Sequence, residues 1–102
     1  MNLFENLEKE KLIELYNYFE SLRDESQLRK LGEEYQELIV ELAKHNARLD
    51  NIKDIASEIA DNFILLLEHA SVLGINDEML KSEIDYKYNR TLARKASKYY
   101  EK

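Results

Sequence analysis

EIADNFILLLEHASVLGI, residues 58–75, is the stretch whose reading decides the fold. From Phe63 onward it is apolar on nearly every side of a helix, through Ile64, Leu65, Leu66, Leu67, Ala70, Val72 and Leu73. Its longest unbroken apolar run, FILLL, is far too short to span a bilayer. A helix apolar all round must instead be buried all round. One layer of four helices cannot easily provide that in a chain of this length. The economical expectation is an oligomer with this segment at the subunit interface.

The rest of the chain agrees with an all-α reading. There is no proline and there are only two glycines, Gly32 and Gly74, so little interrupts a helix. At 102 residues the length prior is one domain, here 1–102. Four helical segments are expected. The first runs from about Asn2 to Leu22, with Leu12, Ile13, Tyr16, Phe19 and Leu22 at helical spacing. The second opens at Asp24, with Gln27 placed to complete a capping box. It carries Leu28, Leu31, Tyr35, Leu38, Ile39 and Leu42 on one face and frays near His45. The third runs from Asn51, with Asp54 in its first turn, to Leu73, and Gly74 is its natural stop. The fourth begins at Asn76 and Asp77 and extends toward Tyr99. The linkers are short, so consecutive helices should run antiparallel.

Composition excludes several functions. With no cysteine there is no disulfide framework, zinc–thiolate site or thiol nucleophile. The net charge of −6 argues against nucleic acid as a partner, because a phosphate backbone is repelled overall. The N-terminus MNLFENLEKEKL lacks the order of a signal peptide. A soluble, cytoplasmic helical protein with no membrane partner is expected. His45 and His69 have no Ser or Cys at a recognisable spacing, so triad chemistry is unsupported.

The carboxylates are the chemical feature. Glu34, Glu37 and Glu41 fall within about 60° on a helical wheel and flank the stripe of Leu31, Leu38 and Leu42. Glu58 and Asp61 are three apart and share a side that continues as Leu65 and Val72. Folding the second and third segments into an antiparallel hairpin sets Glu34 opposite Asp61 and Glu37 opposite Glu58. Both pairs centre on a turn between Ala47 and Arg48. Four carboxylates then come level across one helix pair. Like charges at close range repel or take up protons unless a cation joins them. Hard oxygen ligands suit Mg²⁺, with Mn²⁺ as a substitute. The alternative is a plain acidic solvent face.

QLRKLGEEYQEL, followed by SEIADNFILLLEHASVLGI, resembles the MazG-like all-α nucleoside triphosphate pyrophosphohydrolases. Their hallmark is E-E-x-x-E on one helix and E-x-x-D on the next, here Glu33, Glu34 and Glu37, then Glu58 and Asp61. The similarity covers Gln27 to Arg94. It implies a four-helix bundle completed by oligomerisation as a homodimer or homotetramer. It also implies Mg²⁺-dependent cleavage of a nucleoside triphosphate, ribo or deoxy, to the monophosphate and pyrophosphate. By resemblance Glu34, Glu37, Glu58 and Asp61 are the metal ligands, and Glu33 and Glu37 are catalytic. Glu33 either holds a further metal or orients the attacking water. A phosphoribosyl-ATP pyrophosphohydrolase is the neighbouring alternative. A non-enzymatic metal-binding helical interaction module is the alternative from another class.

On the fourth segment Lys87, Arg90 and Arg94 lie within about 60° on one face, beside Leu80, Ile84 and Thr91. With Asn89 they match a helix from which family members hold phosphates. Asp85 stands where the commonest pattern has a lysine. Lys30 can reach a phosphate or pair with Glu34. Among the aromatics, Tyr16, Phe19 and Tyr35 are expected in the core, Tyr88 beside a pocket, and Tyr99 and Tyr100 as a C-terminal anchor.

Overall fold

The computed structural model describes residues 6–22, 26–47 and 50–101. Among these residues there are four helices and no strand: α1 (Lys9–Ser21), α2 (Gln27–Asn46), α3 (Ile52–Val72) and α4 (Asp77–Ala96). The all-α expectation therefore holds, with corrected boundaries. Within the described residues α1 begins at Lys9, because Asn6 and Leu7 are already outside the helix. Asp24 and Arg48, on which the second segment's cap and the hairpin centre were placed, lie outside the described residues. The N-cap of α2 is Ser26, and the Gln27 side chain is fully buried, so it does not complete a capping box. The Gln27 main-chain amide instead donates to Glu20 Oε1 of α1 at 2.8 Å. His45 belongs to the last turn of α2 and not to the linker.

The end of α3 follows its chemistry. Gly74 adopts φ 77°, the left-handed conformation that costs a residue with a Cβ most. There the Ile75 amide donates to Ala70 O at 2.9 Å and the Gly74 amide to Ser71 O at 3.2 Å. Asn76 Oδ1 then accepts from the Met79 amide at 2.9 Å and starts α4. At the far end α4 stops at Ala96, short of the expected Tyr99. Lys98 takes φ 59°, and the Tyr99 amide turns back to Arg94 O at 2.8 Å.

α3 is the centre of the chain, packing α1 on one side and α2 on another. Its seam with α2 has alternating four- and three-residue steps on both helices. Gln27, Leu31, Glu34, Leu38 and Glu41 turn in from α2, and Asn51, Ile55, Glu58, Asn62 and Leu65 from α3. Six of these ten seam residues are polar. Leu12 of α1 and Leu65 and Leu67 of α3 are buried, and Tyr16 meets the His69 ring edge-on at a centroid distance of 5.2 Å.

Much of the expected core face is open. Leu28, Tyr35, Ile39 and Leu42 are exposed, although the apolar stripe of α2 placed them inside. The reason is geometric. α2 has one main partner helix, and α3 takes the face one residue further back. Ile52, Ile59, Leu66 and Leu73 repeat at seven-residue spacing along α3 and are also exposed. Each exposed stripe lies one residue C-terminal to its seam. In an antiparallel pair that rotation puts both stripes on the same side. α4 has no buried residue and packs against none of the other helices beyond its first turn, where Leu80 borders a small cavity with Leu12 and Leu67. The radius of gyration is 16.6 Å, against about 13 Å for a compact domain of this length. The accessible surface is 8420 Å², where roughly 6,000 Å² is expected for this mass.

Candidate metal centre

α2 and α3 bring Glu34, Glu37 and Glu58 together. One carboxylate oxygen from each lies within 4.8 Å of the others. Two of these groups sit on the helix seam, and Glu37 rises from the side opposite the exposed apolar stripes. Asn62 locks the backbone beneath them. Its Nδ2 donates to Glu34 O at 3.0 Å and to Glu58 O at 2.8 Å, so a single buried amide ties the two helices at the level of the acids.

The electrostatics are those of crowded acids. Glu34 is raised from its ordinary value of 4.5, first by burial and then by the charges of Glu37 and Asp61. Glu58 is raised too, by burial, then by Glu37, Asp61 and Glu41. Glu34 Oε2 and Glu58 Oε2 are buried with no hydrogen-bond partner among the described residues. Two orphaned hard oxygens beside a third carboxylate form a donor set that fits a divalent cation such as Mg²⁺ or Mn²⁺. Asp61 is exposed and outside the tight group, yet near enough for its charge to act on both Glu34 and Glu58.

Glu33 is exposed, with Arg29 Nε 3.7 Å from its carboxylate. Glu41 lies one turn beyond Glu37 on α2, outside the converging three. It accepts from Asn51 Nδ2 at 2.8 Å and from Lys44 Nζ at 3.1 Å, and both bonds hold its pKa below the usual value. Lys30 Nζ lies 4.5 Å from the centroid of the Phe19 ring. Lys87, Asn89, Arg90 and Arg94 stay on α4, which no helix packing brings to the cluster within one chain. Asn89 Nδ2 donates to Asp85 O at 2.9 Å, while Arg90 covers Tyr86 and Arg94 covers Tyr99. Tyr16 and Phe19 are half-buried, but Tyr35 and Tyr88 are exposed, which corrects the core placement of Tyr35.

Sequence reasoning missed Asn62, Asn51 and Glu68. Asn62 had a signal, since it falls between Glu58 and Leu65 at seam spacing. Glu68 had a stronger one: it is the lone acid in the run 63–73, and it is 2% exposed. No protein-family model, curated protein or solved structure matches the chain.

Proposed function

We propose that the chain is a divalent-metal-dependent hydrolase that converts a nucleoside triphosphate and water to the monophosphate and pyrophosphate. The observation that carries this reading is the convergence of Glu34, Glu37 and Glu58, with two orphaned buried oxygens, on one side of the α2–α3 pair. The E-E-x-x-E and E-x-x-D pattern on those helices, resembling the MazG-like enzymes, supplies the reaction class. Bound there, Mg²⁺ would neutralise phosphate charge and acidify a coordinated water. The protein's own part is to hold the three acids level through Asn62 and to keep Asp61 and Glu33 at the rim, within reach of a bound phosphate or its water.

Self-association belongs to the same reading. The excess surface, the exposed stripes on α2 and α3 and the unpacked α4 support a second copy on the face opposite the acids. An α4 packed on a neighbouring copy is also the route by which Lys87, Asn89, Arg90 and Arg94 would meet phosphates.

The test is incubation with Mg²⁺, and separately Mn²⁺, and a panel of ribo- and deoxynucleoside triphosphates, with phosphoribosyl-ATP included. Pyrophosphate with a monophosphate, lost in Glu37→Ala and Glu58→Ala, is the expected result. Orthophosphate with a diphosphate would place the cleaved bond elsewhere. Metal binding without turnover of any nucleotide would make the chain a non-enzymatic metal-binding module.

A further inference from the structure

Beside the acids, α1, α2 and α3 line an open, cleft-like cavity of about 280 Å³. Glu34 and Asp61 stand at one end, so it opens directly onto the acidic cluster, while Leu15, Ile64 and Leu65 make its walls apolar. Phe19 and Lys30 line it together, the ammonium over the ring face at 4.5 Å. Glu68 lines the same cavity. It is 2% exposed, and its Oε1 has no hydrogen-bond partner among the described residues. Burial pushes this carboxyl up, and the charge of Lys30 opposes the rise.

A buried polar atom without a partner is uncommon enough to need a reason. A second cation is a poor one, because Lys30 already brings positive charge to this cavity. A neutral hydrogen-bond donor on a flat apolar body suits every wall: apolar sides, one aromatic ring, one acceptor. The volume takes a single planar ring system, at the small end of ligand pockets, and leaves any phosphates outside over Glu34 and Asp61.

We propose that this cavity is a nucleobase pocket in which Glu68 accepts a hydrogen bond from an exocyclic amino group, favouring amino-bearing bases over uracil and thymine. The proposal rests on the nucleotide reading for its ligand class, though not on turnover. An amino group can donate to the carboxyl in either protonation state, so the preference persists across the range in which Glu68 titrates.

The experiment is titration of the full chain with cytidine and with uridine, without divalent metal, followed by chemical-shift changes. Free nucleosides carry no phosphate for the acids to repel. Cytidine should bind about tenfold more tightly, the effect of one hydrogen bond to a desolvated group. Glu68→Leu should remove the difference while melting no lower than the parent, since it deletes a buried carboxyl with an unpartnered oxygen. Glu68→Gln, which keeps an acceptor, should retain part of it. Equal binding of the two nucleosides, binding of neither, or a preference that survives Glu68→Leu would overturn the pocket. A cytidine preference without triphosphate cleavage would keep the pocket and remove the hydrolase. Cleavage without a preference would do the reverse.

Discussion

Asn62 Nδ2 reaches from α3 to the main-chain carbonyl of Glu34 on α2, at 3.0 Å, directly beneath the acidic group. The same nitrogen donates to Glu58 O at 2.8 Å. The amide therefore fixes the height of one acid-bearing helix against the other. Asn62→Ala leaves the Glu34 carbonyl without this donor in a partly buried seam, a loss of about 1–3 kcal/mol. In a chain of this size about 1 kcal/mol shifts Tm by roughly 4–8 °C. Thermal melts should show that drop. Calorimetric titration with Mn²⁺ should show weakened binding although no carboxylate has been removed. Unchanged metal affinity would mean that Asn62 does not position the acids.

The raised acids make stability depend on pH in a direction opposite to ordinary acid denaturation. Glu34, Glu58 and Glu68 hold protons in the folded chain above their ordinary value of 4.5, so between that value and their folded pKa the native state binds more protons than the unfolded one. Stability contributed in this way is present in full below 4.5 and is lost as pH rises through the folded pKa values. The metal-free protein should therefore melt higher at about pH 5 than at about pH 7.5. Mg²⁺ binds the ionised acids, so it should raise Tm more at the higher pH and release protons on binding. Melts in EDTA and in Mg²⁺ across this range are the check. A metal-free Tm that climbs steadily toward neutrality would contradict the crowding.

The site was more legible in the sequence than the packing around it. Spacing alone set Glu34 and Glu37 against Asp61 and Glu58; in the structure Glu34, Glu37 and Glu58 converge while Asp61 stays outside the tight group. Gly74 announced its stop because only glycine enters its conformation freely. What spacing could not settle was which of two adjacent stripes on α2 meets α3. Gln27, Glu34 and Glu41 are buried or half-buried, while Leu28, Tyr35 and Leu42 are exposed. A hydrophobic pattern marks every face that is to be covered, by this chain or by another copy, without distinguishing the two. Glu68 was hidden by its residue type, since glutamate reads as surface until its neighbours are counted.

Asn51 and Glu41 form a second tie between the same helices, nearer the turn. Asn51 is the N-cap of α3, and its Nδ2 donates both to Glu41 O and to Glu41 Oε2 at 2.8 Å. These bonds and Lys44 hold Glu41 below its ordinary value, so their contribution is present above that value and lost as pH falls through the folded pKa. Asn51→Ala should lower Tm at neutral pH and return Glu41 toward an ordinary carboxylate, which carboxyl-carbon NMR titration can follow. Metal binding should be little changed, because Glu41 is not among the converging three. A strong loss of Mn²⁺ affinity would instead extend the metal centre to Glu41.

The side of the α2–α3 pair opposite the acids makes the final prediction. Ile59 and Leu66 project there from α3, and Tyr35 and Ile39 from α2, all exposed in the single chain. A specific interface covers about 1,200–2,000 Å² in total. The surplus of surface on this chain, about 2,400 Å², exceeds one partner's half of such an interface, and the seven-residue repeat on α3 is the spacing that lets one helix seat against another. Sedimentation should find a dimer or larger assembly. Leu66→Glu, which sets a charge in the middle of the stripe without touching the buried seam, should shift it to monomer. If phosphates are held by α4 of a neighbouring copy, that variant should also weaken binding of a non-hydrolysable triphosphate while sparing Mn²⁺ binding. A parent protein that sediments as a monomer at high concentration would remove the interface, and with it the route that brings Arg90 and Arg94 to the acids.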